Sequence, residues 1–270
     1  MSERDTSRPL SLARGARGVF GLALDGMVWN RRSLLMGLLL GLPMLFAALY
    51  RAVLVAKLPA EITGDDLYGT IVALYYIRNV VPLAALFYAT SLIADEVEGR
   101  TITYLFTRPI RRGSILLGKF AAYLVTTLAL SLPATVVTFF LLTTVHGFSG
   151  VSANLPDLLR DLGAIGLGLA VYGAFFTLLG VLLRRPVLPG LFFIFVWELV
   201  ANFPGYLPRF TITGWLRSLV THRPPAEGFL QVFSQALPAG LSLVVLCALT
   251  AGFLALALRI FSSREYVLEQ

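Results

Sequence analysis

Six long apolar runs, each with few or no charges, dictate how this chain can fold. A helix needs about 20 apolar residues to cross the hydrocarbon core of a bilayer. The runs are Ser33–Ala56, Leu67–Ala94 with Arg78 inside it, one within Phe120–Val145, Leu162–Leu183, Val187–Phe203 with Glu198 inside it, and Pro238–Ile260. Only 14% of the 270 residues are charged while 57% are hydrophobic. A soluble domain carries about 25% charged residues, so lipid must cover much of this surface. The expected fold class is therefore all-α: a polytopic membrane protein of about six transmembrane helices. Pro43, Pro82 and Pro133 fall inside the runs, which membrane helices tolerate. Gly37 and Gly41 form a G-x-x-x-G pair that fits close helix packing and equally fits chance in a Gly-rich chain.

Lys and Arg set the orientation. With the N-terminus cytoplasmic, 15 of the 22 fall on the inside and six on the outside, with Arg78 within the membrane. That bias places both termini in the cytoplasm and predicts a multi-pass protein of the cell (inner) membrane. The net charge of +7 sits between the runs and forms no aromatic-interleaved basic stripe, which argues against a nucleic-acid partner. Arg31-Arg32-Ser33-Leu34-Leu35 has the look of a twin-arginine export signal, but five further spans follow it. Val19–Trp29 reads as an interfacial helix on the inner leaflet. Arg51, near the outer end of its span, is expected to snorkel toward the headgroups. The chain reads as one transmembrane domain over 1–270. A cytoplasmic tail and interfacial helix occupy 1–32, a charged cytoplasmic loop 95–114, and an outer loop 204–237. That outer loop is rich in Pro and aromatics, which suits short helices dipping into the outer leaflet.

Catalytic and metal-binding chemistry find little support. One Cys cannot form an internal disulfide, and two His with one Cys give no metal cage. Gly147-Phe148-Ser149-Gly150-Val151 lacks the last Gly of a nucleophile elbow, and neither His146 nor His222 has an evident acid–base partner. Gly113-x-x-x-x-Gly118-Lys119 is followed by Phe120 where a phosphate loop needs Ser or Thr, and it runs into a span. No catalytic residue, metal site or cofactor is assigned to this chain.

The informative stretch is Ala94–Lys119. Asp95, Glu96 and Glu98 stand at the membrane exit. Thr101–Phe106 can form a short helix with Leu105 and Phe106 as apolar anchors, and Pro109 ends it. Arg108, Arg111 and Arg112 follow. Apolar anchors between fixed charges suit the docking of a soluble partner. An ordinary positive-inside loop accounts for the arginines but not for three acids.

Glu96, Glu98, Gly99, Thr101, Leu105, Arg108, Pro109, Ile110, Arg112, Gly118 and Lys119 together resemble the signature of type-2 ABC transporter permeases. The layout of nearly the whole chain matches too: an interfacial helix, six spans, and a helical insertion before the last span. The resemblance is to a stand-alone permease. It implies that the 95–114 loop holds a coupling helix seated on a separate ABC ATPase subunit, which would bind the ATP and Mg. It also implies a second permease chain, in a homo- or heterodimer around a substrate pathway, and export as the direction. The alternative is a self-contained secondary carrier or membrane enzyme. A carrier would show inverted repeats and ion ligands, and the sequence has neither.

Arg78 and Glu198 are the ionisable residues well inside the runs, and such groups find a partner or a hydrated path. At 1.5 Å per residue both lie about 10–16 Å from a span end, so their depths overlap. Two readings stay open: the two pair, within one chain or across a dimer, or each faces its own hydrated cavity. The charge swap R78E/E198R separates them. A pair predicts that the double variant folds and works better than either single one; separate cavities predict no recovery.

Overall fold

A computed structural model describes residues 20–21, 31–56, 63–98, 112–144, 148–203, 206–221 and 237–263. Among these residues all regular structure is helical. Helix α1 is Arg31–Val55. The second span starts with α2, Gly64–Thr70, widens into a π-helix over Ile71–Val80, and continues as α3, Val81–Glu98. Helices α4, Arg112–Thr143, and α5, Phe148–Leu182, run back and forth. The fifth run is α6, Val187–Phe192, then a π turn, Phe193–Trp197, then a 3₁₀ turn, Glu198–Asn202. A 3₁₀ turn, Leu207–Phe210, and the short α7, Ile212–Arg217, precede α8, Ala239–Ser263. Five helices are long and apolar enough to cross a membrane, and Val187–Asn202 is a shorter apolar helix. The chain is a polytopic helical membrane protein, with the expected short helices between its last two runs.

Local chemistry explains the breaks in the second span. Thr63 caps α2: its hydroxyl accepts the Asp66 amide at 3.2 Å and donates to the Asp66 carboxylate at 2.6 Å, a reciprocal capping arrangement. Pro82 follows the π-helix by two residues. It has no N–H to give, and its ring crowds the preceding turn. The turn opens to π register there, and Asn79 Nδ2 adds a second donor to the Leu74 carbonyl at 2.6 Å.

Helix α5 is the centre of the bundle, packed against α3, α4 and α8. Its buried face carries Ile165, Leu169, Tyr172 and Phe176. Helices α1 and α8 cover little of themselves with protein. Leu38, Leu45, Phe46, Leu243 and Val244 point outward, as lipid-facing side chains do. Among the described residues, nothing lies within 4 Å of where a Cβ would stand at Gly37 or Gly41.

Two charged residues are placed differently from the sequence expectation, and Arg51 gains a partner. Its guanidinium crosses to the last turn of α4, donating to the Leu141 carbonyl at 3.3 Å and the Thr144 hydroxyl at 2.5 Å, where helix-end carbonyls attract cations. The run that starts at Leu162 leaves Asp161 in the outer loop before it, yet α5 begins at Phe148, so helix extends through Asp157 and Arg160, an i,i+3 ion pair at 3.6 Å. Asp161 is fully buried and faces Tyr68. Lys119, just ahead of the run within Phe120–Val145, reads from the sequence as an inner-surface charge. It is buried instead, and its ammonium donates to the Leu92 carbonyl of α3 at 2.6 Å. Gly113–Lys119 is continuous helix.

Gly173 is required by the close crossing of α4 and α5. A Cβ there would meet Tyr123 Cε1 at 2.2 Å, and Tyr123 is itself fixed by its hydroxyl donating to the Leu169 carbonyl at 2.7 Å. Gly173→Ala is expected to destabilise the bundle by about 1–3 kcal/mol, the usual cost of overpacking. The check is a lower midpoint of thermal unfolding in detergent, followed by circular dichroism.

Candidate functional site

The Thr211–Arg217 segment lies between spans and yet is deeply buried. Ile212, Thr213, Gly214, Trp215 and Leu216 are all enclosed by protein. Pro208 and the extended Thr211 start a helix whose first amides face inward, away from water. Unsatisfied amides at membrane depth cost several kcal/mol each, so this re-entrant helix needs acceptors.

Glu198 supplies two of them. One carboxylate oxygen accepts the Ile212 amide at 3.2 Å, and the other accepts the Thr213 amide at 3.0 Å. The Thr211 hydroxyl accepts the third, from Gly214, at 3.1 Å while donating to the Pro208 carbonyl at 2.8 Å. Glu198 comes to this position because the fifth run tightens there from π to 3₁₀ geometry. A carboxylate at a helix N-terminus is also favoured by the helix dipole. Tyr172 of α5 closes the set, its hydroxyl 2.9 Å from that of Thr213. Gly214 is needed because a Cβ would strike the Pro208 carbonyl oxygen at 2.1 Å.

Indoles and a guanidinium pin the flanks. Trp197 Nε1 donates to the Phe210 carbonyl at 3.1 Å, Trp215 Nε1 to the Arg209 carbonyl at 2.7 Å, and Arg217 Nη1 to Asn202 Oδ1 at 3.0 Å. Ser218 meets Ser242 of α8 at 2.5 Å.

Beside this plug lies a cavity of about 290 Å³, lined by Leu74, Arg78, Asn79, Ile194, Phe195 and Glu198 among others. The structure thus brings the two intramembrane charges to one cavity, with a π-helical stretch on either wall. π-helical turns recur at functional sites. Arg78 and Glu198 form no ion pair within the chain: among the described residues no carboxylate lies within 4.0 Å of the Arg78 guanidinium. The Glu198 oxygens are engaged by backbone instead. Sequence reasoning found both charges but not this partner. The available signal was Thr211 as a helix start inside the 204–237 segment, where short helices are expected.

The 95–114 loop is described only at its two roots. Asp95, Glu96 and Glu98 fall in the last turns of α3, and Arg112 opens α4. Gly99, Thr101, Leu105, Phe106, Arg108 and Pro109 lie outside the described residues, as do His146, His222 and most of Val19–Trp29.

Residues 52–266 match the family described as ABC-2 family transporter protein. The chain is also similar to the "Probable ABC transporter permease protein NosY" of Stutzerimonas stutzeri, at 40% identity over 107 residues. That stretch is 36% of this chain and covers 38% of the relative's length.

Two outcomes are expected. Glu198→Ala removes a charge-assisted acceptor worth about 1.5–3 kcal/mol, so hydrogen exchange at the Ile212 and Thr213 amides should rise about tenfold or more, measured by mass spectrometry on peptides covering α7. The double variant R78E/E198R should be no better folded than either single variant, because a positive side chain at 198 meets helix N-terminal amides.

Proposed function

The chain belongs to the ABC-2 transporter family, and from that premise we propose that it is the membrane-spanning permease subunit of an ABC transporter. The transport work is driven by ATP hydrolysed on a separate subunit, and the permease itself is non-catalytic. The relative's description as a probable permease agrees with this reading. Two copies, or one copy and a second permease chain, pair around the pathway, with two ATPase chains beneath them. The chain sits in the cell (inner) membrane with both termini cytoplasmic, and it exports its substrate.

The 95–114 loop is the coupling element. Glu96, Glu98, Thr101, Leu105 and Phe106 dock on the ATPase. Asp95 and Gly99 belong to the same coupling loop, Pro109 ends its short helix, and Arg108 and Arg112 fix the loop at the membrane and ATPase surface. One observation above all supports a mechanical role for this loop. The buried Lys119 ammonium bonds the Leu92 carbonyl across the two helices that flank it. Roots joined in this way transmit a push on the loop to α3 and α4 together. On the far side of the bundle, the π-helix above α3 forms one wall of the cavity, so motion of this rod reaches Arg78 and the plug beside it.

The test is co-purification in detergent with a candidate ABC ATPase from the same organism, comparing wild type with E98R/L105D. Anchors of this kind contribute about 2 kcal/mol each, so capture should fall at least about tenfold while the variant keeps its helicity. Wild type that captures no ATPase, or a variant that captures as much as wild type, would overturn the reading and favour the self-contained carrier.

A further inference from the structure

Arg78 is a half-buried guanidinium in the middle of an apolar helix. Charges at such depth are retained where something compensates them. Among the described residues none gives Arg78 a hydrogen bond or an ion pair. Glu198, on the opposite wall of the cavity, gives its two oxygens to the Ile212 and Thr213 amides. Asp161 is committed elsewhere, facing Tyr68. The Arg217 guanidinium lies close enough to Arg78 for the two like charges to repel. At the cavity itself Arg78 is the one cation and Glu198 the one carboxylate. With the Glu198 oxygens held by helix amides and Arg217 nearby, the Arg78 charge is left without a bonded counter-charge.

We propose that this cavity binds a compact oxyanion carried on an apolar body, a carboxylate, sulfonate or phosphate of the transported molecule, with Arg78 as its charge partner. The substrate role rests on the permease reading above; the anion site does not. A planar guanidinium pairs with two oxygens of such a group at once. The other walls fit the body of the ligand: Leu74, Ile194 and Phe195 are apolar, and about 290 Å³ holds a head group with a ring-sized attachment rather than a whole lipid. Arg78 lies about 16 Å or more along its span from the outer start, deeper than a lipid head group resides.

The probe is 4-bromobenzenesulfonate, whose bromine quenches tryptophan at short range, with Trp197 adjacent to Glu198 in the chain. It is titrated into the full chain in nanodiscs of phosphatidylcholine. Wild type is expected to show saturable quenching. R78Q should bind at least about tenfold more weakly, the loss expected for one charge-assisted contact, and R78K should recover most of the affinity. The size-matched cation 4-bromobenzylammonium, titrated into wild type alone, should give no saturable quenching, so the proposal remains testable if R78Q does not fold. Equal quenching by the cation, equal affinity in R78Q, or no saturation in wild type would each overturn the site. Displacement of the probe by phosphatidylglycerol in the nanodisc would overturn its assignment to substrate in favour of lipid. The titration needs no ATPase. Anion binding through Arg78 in a chain that captures no ATPase would keep the site and sink the permease reading, and the reverse pattern would sink the site alone.

Discussion

The carboxylate of Glu198 held by the amides of Ile212 and Thr213 is the contact on which the end of the bundle around α7 depends. In hydrocarbon every backbone group needs a partner, and a helix that starts inside the protein exposes amides with none. An acid at mid-span would otherwise be a liability, as would a helix start away from water. Placed against each other, they cancel. The contact also explains why the fifth run is irregular. A straight α-helix through Val187–Asn202 would carry the residue at 198 on a different bearing, and the π-to-3₁₀ change turns it toward α7.

The plug so formed rests on α5. Thr213 meets Tyr172, and Leu216 lies over Gly168, where a Cβ would come within 3.1 Å of its side chain. Because α5 is also the helix against which α3, α4 and α8 pack, the plug and the rods flanking the 95–114 loop share one support. Small residues on α5 permit this. Gly168, Gly173 and Gly180 each sit under a neighbouring side chain or backbone, so the central helix is approached closely from three sides.

Much of this was legible in the sequence. Apolar run length gave the spans, because the bilayer imposes one length on all of them, and aromatics among prolines flagged the segment containing α7. The partners that were not legible share a cause. Asp161, Arg51 and Lys119 read as surface charges because charge density marks a loop in a pattern reading. In the fold each meets a specific group: Tyr68, the carbonyl end of α4, and the Leu92 carbonyl. Two of those three partners are backbone, which carries no residue-type signal. The same blindness hid the partner of Glu198. The π-helix at Arg78 had one faint marker, Pro82, since a missing amide can be met by a kink as well as by a wider turn.

The fifth run is short. Val187–Asn202 reaches about 24 Å at 1.5 Å per residue, against about 30 Å of hydrocarbon. On that flank, marked by the outward-facing Leu188, Phe192, Phe195 and Val196, the bilayer meets a hydrophobic wall several ångströms too low. Thinning of the lipid there is the expected accommodation, at fractions of a kcal/mol per ångström. Acyl-chain length thereby becomes a mechanical load applied beside the cavity, one that longer lipids increase and shorter ones relieve.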